Sequence, residues 1–391
     1  MNYRCDNRYD NDKNCRRLKN AHIMKNFCRK LKSGVIWSGM FRKQTGIVCT
    51  MIVLAIVFSG CVAEREETAA EDGKIQILCT TFPLYDWTRQ ITAGCEDAIK
   101  VSLLMDQGTD PHNYQPTTED IVHLFEADMI VYVGGESEVW MEDVLAAVPA
   151  EQGGAQKYLN LMEILDSCLR EEEHIEGLRE DADGQTYGEH DGREVYQGGD
   201  GEEKDMSGTE YDEHIWLSLK NASLCVQAIA AAVTDLDQDD GQTVAENAER
   251  YLAQLEELDR QYETMVSDAS FHRVLFADRF PFLYLIKDYG LEYDAAFPGC
   301  STESEASFET VIFLAGRLDE YHLPAVLVVE GGDRRMAETI IANTIGKDQK
   351  ILTLNSMQSV TAEDIGQGAT YLSIMQENLA ALREALTCGI E

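Results

Sequence analysis

Two histidines and two carboxylates in this sequence stand where a parallel α/β sheet usually binds a ligand. His112 follows an apolar run and a turn, and His214 stands just before a helical pattern. Asp278 and Glu330 each follow a short apolar run that predicts a strand. Ligands of such sheets lie beyond the carboxyl ends of the strands. Two imidazoles and two carboxylates suit Zn²⁺ or Mn²⁺, so we expect these four residues to hold a divalent transition metal.

Each of the four residues also has a structural interpretation. A lone histidine more often makes a local hydrogen bond than binds a metal. Asp278 adjoins Arg279 and could form an ion pair, and Glu330 could stabilise the N-terminus of a helix through its dipole. No two of the four have a diagnostic local spacing. The metal site is therefore a hypothesis that depends on the elements that bring these residues together.

Apolar runs alternate with helical segments along most of the chain, which predicts parallel sheets covered by helices. We expect an α/β fold of two lobes, each a small parallel sheet flanked by helices, joined by a long spacer helix. Six apolar residues at helical spacing predict that spacer over residues 244–269, with a length of about 40 Å; they are Tyr251, Leu252, Leu255, Leu258, Tyr262 and Met265. A final helix is predicted over residues 362–386.

The predicted organisation has five parts. They are an N-terminal extension with a lipoprotein signal peptide (1–60), a tether (61–73), an N-terminal metal-binding lobe (74–243), the linking helix (244–269) and a C-terminal lobe (270–391). Within the first lobe, residues 170–213 hold 17 Asp and Glu, 4 Lys and Arg and 8 Gly. Such a segment buries too little apolar area to offset its ordering entropy, so we expect a disordered acidic loop. It either collects cations weakly or is simply solvated.

The charge is divided unevenly between the two ends of the chain. Residues 1–60 hold 12 Lys and Arg against 3 Asp and Glu, and the remaining residues hold 21 against 67. An acidic body of this kind repels nucleic acid and suits cations, although acidity also simply favours solubility.

The basic segment leads into an apolar run that ends at Phe58-Ser-Gly-Cys61. This run is short for a membrane-spanning helix and has the plan of a secretory signal. The four residues resemble a bacterial lipobox, so we expect cleavage before Cys61 and lipidation of its thiol; an uncleaved single-span anchor is the alternative. Residues 1–39 exceed an ordinary basic leader, and translation could begin at Met1 or Met40. Six cysteines follow Cys61, and an exported protein could form one or two disulfides from them, with no pairing indicated.

Three segments resemble the zinc and manganese solute-binding lipoproteins of ABC importers. Gly108-Thr-Asp-Pro-His112-Asn-Tyr-Gln-Pro-Thr117 is similar to that family's first metal-ligand motif, and Asp212-Glu-His214-Ile-Trp-Leu217 to its second. Gly135-Glu-Ser-Glu138-Val-Trp140 is similar to the segment after the third strand. The resemblance covers residues 74–388. It implies two lobes joined by a long helix, a metal in the cleft between them, and delivery to a permease driven by a cytoplasmic ATPase.

The resemblance also implies where the remaining ligands lie. Asp278 aligns with the third ligand, which is His in zinc-type members and Glu in some manganese-type ones. The fourth ligand is often Asp, where this chain has Asn355. Because an amide is a weaker donor, Glu330 from the preceding strand could substitute, or water could complete the site.

The sequence thus predicts a monomeric, lipid-anchored extracytoplasmic protein that captures zinc, or manganese, and delivers it to an ABC permease and its ATPase. Affinity should weaken below about pH 6 as His112 and His214 take up protons. Two other functions remain open. A secreted metal-dependent hydrolase could use Glu213 as a base, although no HExxH or GxSxG motif occurs. The second alternative function is that of a metal-binding surface adhesin.

Overall fold

The computed structural model describes residues 73–147, 156–173, 210–299 and 306–387, all in one compact unit. The first of two four-stranded sheets has the order β2-β1-β3-β4, and the second has the order β6-β5-β7-β8. Every pairing between these strands is parallel. The strands are β1 Ile75–Cys79, β2 Ile99–Leu103, β3 Met129–Tyr132, β4 Lys157–Asn160, β5 Arg273–Phe280, β6 Glu292–Pro298, β7 Ala325–Val329 and β8 Lys350–Leu354. The predicted α/β fold of two sheet-based lobes is confirmed, and both lobes have the same topology.

The helices lie on both faces of each sheet and between the two sheets. They are α1 Phe82–Ile91, α2 Thr118–Glu126, α3 Trp140–Ala147, α4 Leu161–Ile164, α5 Leu219–Leu236, α6 Gly241–Ser267, α7 Leu283–Asp288, α8 Phe308–Tyr321, α9 Arg335–Ala342, α10 Ala362–Gly366 and α11 Tyr371–Leu386. Three short 3-10 turns also matter for the site: Pro111–Asn113, Glu136–Glu138 and Ile215–Leu217. Among the described residues, no helix is long and apolar enough to cross a membrane.

One apolar core runs through both lobes. Ile77 and Met129 of the first sheet, Leu255 of α6, and Phe276 and Leu327 of the second sheet belong to a single cluster of buried residues. Helices α1, α5 and α11 contribute to the same cluster. Each sheet also has a smaller outer core, formed with α2 and α3 on the first sheet and with α8 and α9 on the second. The two lobes therefore share their central packing.

The spacer helix α6 begins at Gly241, three residues before its predicted start, and ends at Ser267. Of the six apolar residues that predicted it, five are buried and Leu252 is partly buried. The hydroxyl of Tyr262 donates to the carbonyl of Met375 in α11 at 2.6 Å. The apolar stripe of α6 thus faces the shared core along most of its length.

The single helix predicted over residues 362–386 is wrong. Helix α10 ends at Gly366, and Gly368 has a φ of 101°, which glycine adopts without a steric penalty. Thr370 then caps α11, because its hydroxyl accepts the N–H of Ser373 at 3.1 Å. The helical pattern continues through this region, but the backbone turns there.

The two ends of the acidic segment are ordered. Glu171 and Tyr211 form an antiparallel bridge, and the N–H of Asp212 donates to the carbonyl of Arg170 at 2.9 Å. The remainder of the predicted loop, over 174–209, lies outside the described residues, as do the signal segment, Cys61, Cys300 and Cys388. The four described cysteines, Cys79, Cys95, Cys168 and Cys225, are free thiols.

Candidate metal site

His112 lies in the 3-10 turn that follows β2. The carboxylate of Asp110 caps this turn by accepting the N–H of His112 at 3.1 Å. The other oxygen of Asp110 accepts a bond from the Arg279 guanidinium at 2.6 Å. Arg279 belongs to the second lobe, so both lobes fix the backbone that carries the His112 ring.

His214 precedes the 3-10 turn that leads into α5. Its side chain is fully buried, and its ring lies 5.4 Å from that of Trp216, centroid to centroid. Asp212 holds the residue twice through one oxygen, which lies 2.8 Å from the backbone nitrogen and 3.0 Å from Nδ1. Since Nδ1 carries the proton that faces Asp212, Nε2 can present a lone pair.

The two rings meet through their Nε2 atoms, which lie 3.3 Å apart. Zinc binds imidazole nitrogens at about 2.0–2.1 Å, so two such ligands at a tetrahedral angle stand about 3.3 Å apart. The pair therefore has the spacing of one edge of a tetrahedral zinc site. His112 is the more accessible of the two, with 11% of its side chain exposed against none for His214.

The opposite nitrogen of His112 contacts Ser137, in the turn after β3. Nδ1 lies 2.6 Å from the Ser137 hydroxyl, which in turn lies against Oε2 of Glu213. The N–H of Ser137 donates to Oε1 of the same carboxylate at 2.9 Å. Both histidines are thus connected to a carboxylate on the side away from their facing nitrogens, directly for His214 and through a hydroxyl for His112.

Burial and neighbouring charges separate the two imidazoles electrostatically. Burial and the nearby His214 lower the pKa of His112 to about 4. Burial also acts to lower the pKa of His214, but the charge and hydrogen bond of Asp212, together with the charges of Glu213 and Asp110, outweigh it and raise that pKa above its usual range. Of the two imidazoles, His214 is therefore the one that takes up an additional proton first as the pH falls.

Sequence comparison identifies the family of this chain. The model of the family described as zinc-uptake complex component A, periplasmic (ZnuA), matches residues 77–385. The chain belongs to the ZnuA family. It is 30% identical over 315 residues to the zinc-binding lipoprotein AdcA of Streptococcus pneumoniae R6, covering 80% of this chain and 56% of AdcA. It therefore spans about half the length of the streptococcal relatives of that name.

A sequence and a crystal structure from Bacillus subtilis each match the chain over nearly their whole length. The high-affinity zinc uptake system protein ZnuA of strain 168 is 26% identical over 348 residues, which cover 89% of this chain and 99% of that protein. The crystal structure of the metal-dependent lipoprotein YcdH is 25% identical with a TM-score of 0.61, covering 81% of this chain and all of that one. The two-lobe architecture is thus the one expected of a ZnuA-family member.

The two carboxylates expected from the second lobe lie at the carboxyl edge of its sheet. Asp278 lies within β5, which is longer than predicted, beside a register shift between Phe276 and Arg279. Its oxygens accept the N–H groups of Arg279 and Val329 at 2.9 and 3.2 Å. Its expected alternative partner, the Arg279 guanidinium, instead bonds Asp110.

Glu330 directly follows β7, as predicted, and its carboxylate holds the turn after β8. Oε2 accepts the N–H of Ser356 and Oε1 accepts the hydroxyl of Ser356, both at 2.7 Å. Burial raises the pKa of Glu330 despite these bonds. Asn355 uses its side-chain oxygen locally, accepting the N–H of Met357 at 2.8 Å.

The structure brings His112 and His214 together but does not add Asp278 or Glu330 to the pair. Over the described residues, no three or more His, Cys, Asp or Glu side chains are grouped so that they could hold a metal. The side chains that orient the two rings were not recognised from the sequence. Ser137 and Asp212 belong to the motifs that carry the family resemblance, but no local spacing in the sequence marks them as partners of the histidines. Glu213 was considered only as the base of a hydrolase.

Proposed function

We propose that this protein captures Zn²⁺ outside the cytoplasmic membrane and delivers it to the permease of an ABC importer. ZnuA-family proteins are solute-binding components of such importers, and the relatives named AdcA and ZnuA are described as zinc-binding and zinc-uptake proteins. The observation that carries the proposal is the imidazole pair, with Nε2 atoms 3.3 Å apart. Zinc favours such nitrogen donors, and Mn²⁺ is the alternative ion.

In this proposal Asp278 and Glu330 would complete the ligand set, although the described residues do not group them with the two histidines in the structure. Both belong to the second lobe, and Val329, whose N–H bonds Asp278, immediately precedes Glu330. An ionised carboxylate has about four lone-pair sites, so one that accepts two hydrogen bonds can still bind a metal. Zinc would then be held by imidazoles of the first lobe and carboxylates of the second.

The same proposal places the protein at the membrane through a lipid on Cys61. The lipobox-like Phe58-Ser-Gly-Cys61 supports this placement, and residues 61–73 would form the tether. The hydrolase alternative gains no support from the geometry, because the Ser137 hydroxyl lies between the base it requires, Glu213, and the His112 ring.

Elemental analysis of residues 62–391, purified without chelator, tests the function. We expect one equivalent of zinc in the native protein and none in the His112→Ala, His214→Ala double variant. A His123→Ala, His272→Ala double variant is the matched control, because both of these side chains are exposed and it should retain the metal. Absence of metal from the native protein after dialysis against zinc would contradict the proposal, and manganese in its place would change the specificity assigned.

The two carboxylates can be tested separately. If Glu330 is a ligand, Glu330→Gln should lower zinc affinity far more than it lowers the free energy of unfolding. If Glu330 only holds the Ser356 turn, Glu330→Gln should lower the free energy of unfolding and leave zinc affinity nearly unchanged. Asp278→Asn is compared in the same way.

A further inference from the structure

We propose that Glu213, acting through the hydroxyl of Ser137, is the positioning residue that keeps Nε2 of His112 free to bind the transported metal. This inference rests on the proposed function and adds the two residues that prepare its more exposed ligand. Asp212 and Glu213, adjacent in sequence, thereby orient the two histidines, one directly and one through a serine.

The direction of the hydrogen bonds follows from the donors available. A serine hydroxyl has one proton, and an ionised carboxylate only accepts. The Ser137 hydroxyl therefore donates to Glu213, and its oxygen is left to accept. His112 must then supply the proton of the 2.6 Å contact from Nδ1, which leaves a lone pair on Nε2. The tautomer of a ligand histidine is set by the bond that its other nitrogen makes.

The backbone is shaped to receive the Glu213 carboxylate. Gly135 has a φ of 82°, and a Cβ added there would lie 2.4 Å from Oε1 of Glu213. The N–H of Ser137 donates to the same oxygen at 2.9 Å. Glu138, which is buried, closes the turn by accepting the N–H of Gly134 at 2.8 Å. The Glu213 carboxylate thus holds Ser137 through both its backbone N–H and its side-chain hydroxyl.

The hydrogen-bonded path from Glu213 through Ser137 to His112, here called the relay, is largely shielded from water. Only 7% of the Glu213 side chain is exposed. The direct approach of Glu213 to Nδ1 of His112 is 4.0 Å, too long for a hydrogen bond. The hydroxyl of Ser137 bridges this gap. A hydroxyl at position 137 is therefore required for the carboxylate to act on the ring.

The test combines zinc affinity with the tautomer of His112. Affinity is measured by competition with a chromogenic chelator. The tautomer is read by ¹⁵N NMR of the metal-free His214→Ala protein, in which no second imidazole faces Nε2. Ser137→Ala should weaken zinc binding by about 10- to 100-fold, the range for loss of a partner that orients a metal ligand. It should also shift His112 from the Nδ1–H form towards the Nε2–H form.

Conservative and matched variants separate positioning from a structural role. Ser137→Thr keeps the hydroxyl and should restore both the affinity and the Nδ1–H tautomer. Glu213→Gln keeps an acceptor but removes the charge, and its affinity should fall between those of the native protein and Ser137→Ala. The controls are Ser223→Ala, whose hydroxyl bonds only within α5, and Glu249→Gln on the exposed face of α6.

Two results would overturn the relay. One is a Ser137→Ala protein with the affinity of the Ser223→Ala control and an unchanged tautomer. The other is an equal loss of affinity in Ser137→Ala and Ser137→Thr with no change of tautomer in either. If the native protein binds no zinc, the proposed function fails, while the tautomer of the metal-free protein still decides whether the relay exists.

Discussion

At the scale of single residues, the site is a chain of hydrogen bonds between two carboxylates. It runs from Asp212 through His214, His112 and Ser137 to Glu213, with the two Nε2 atoms at its centre. Two lone pairs that face each other at 3.3 Å repel, so this arrangement favours a proton or a metal ion between the two Nε2 atoms. Because the pKa of His214 is raised and that of His112 is lowered, a proton taken up as the pH falls goes to His214 first. If the pair binds Zn²⁺ as proposed, the metal ion competes with this proton for the space between the rings.

This competition predicts how zinc affinity depends on pH. Above the raised pKa of His214 the affinity should be constant, and below it the affinity should fall by up to tenfold per pH unit as the proton competes. His112, with a pKa of about 4, adds a second proton only in strongly acidic solution. Competition titrations between about pH 5 and pH 9 measure this slope, and the number of protons released should be close to one in the intermediate range.

Asp212→Asn provides the companion measurement. Loss of that carboxylate lowers the pKa of His214, so the fall in affinity should begin at a lower pH. His123→Ala leaves both ligands intact and should reproduce the native curve. Equal affinity at about pH 5.5 and about pH 7.5 in the native protein would show that the two-histidine site is wrong.

Gly135→Ala should weaken zinc binding through Glu213. The new methyl group would stand 2.4 Å from the carboxylate and displace it, and the positive φ should destabilise the fold by about 1–2 kcal/mol. Gly94→Ala is the matched control, since Gly94 has a φ of 89° and no atom within 4 Å of an added Cβ. Urea unfolding should show a similar loss in both variants, whereas only Gly135→Ala should lose zinc affinity. A loss of affinity in both would attribute the effect to backbone strain.

At the scale of elements, the bend between α10 and α11 brings a tyrosine to the turn Ile215–Leu217, which directly follows His214. Tyr371 is fully buried at the start of α11, and its hydroxyl donates to the carbonyl of Trp216 at 2.6 Å. Its N–H donates to Asp86 of α1 at 2.9 Å. The indole nitrogen of Trp216 donates to the carbonyl of Ser356 at 2.8 Å. The turn after His214 is thus bonded to both the final helix and the turn that Glu330 holds.

Tyr371→Phe should destabilise the protein by about 1–3 kcal/mol, because it leaves the buried Trp216 carbonyl without its donor. Zinc affinity should fall only a few-fold, since the ligand rings keep their own partners. Tyr158→Phe is the control, with a hydroxyl that bonds Gln156 in a partly buried position. Denaturant unfolding compares the two, and equal losses would mean that the bond to Trp216 contributes nothing specific.

Local patterns were sufficient to predict most strands and the long helix. An element that is buried on one or both faces has apolar residues at a regular spacing or in a continuous run, and this can be recognised in the sequence. Gly366 and Gly368 do mark the break between α10 and α11, but the prediction of a single helix gave more weight to the apolar spacing on both sides. Local patterns also placed Asp278 at the end of a strand that in fact continues to Phe280. Local patterns could not predict the hydrogen-bond partners of the histidines, because these depend on contacts between segments that are distant in sequence, such as Ser137 with Glu213.

At the scale of the whole molecule, the shared core limits how far the lobes can move apart. The spacer helix lies within this core, between sheets whose inner faces pack on the same helices. Arg279 and Asp110 form an ion pair between the lobes, and Gln107 bridges to Thr361. A wide hinge opening would expose a large part of this apolar surface to water. Metal exchange is therefore expected to involve local movements of the ligand turns.

The shared core also predicts that the two lobes unfold as one cooperative unit. Leu124 and Leu314 are both fully buried, but they belong to the separate outer cores of the first and second lobes. Truncation of either leucine to alanine should cost about 2–5 kcal/mol. If the molecule unfolds as a unit, either variant should lower by the same amount the protection of the slowest-exchanging amides in both β3 and β7. Hydrogen exchange followed by mass spectrometry measures this, and a loss confined to the lobe that carries the substitution would show that the lobes unfold independently.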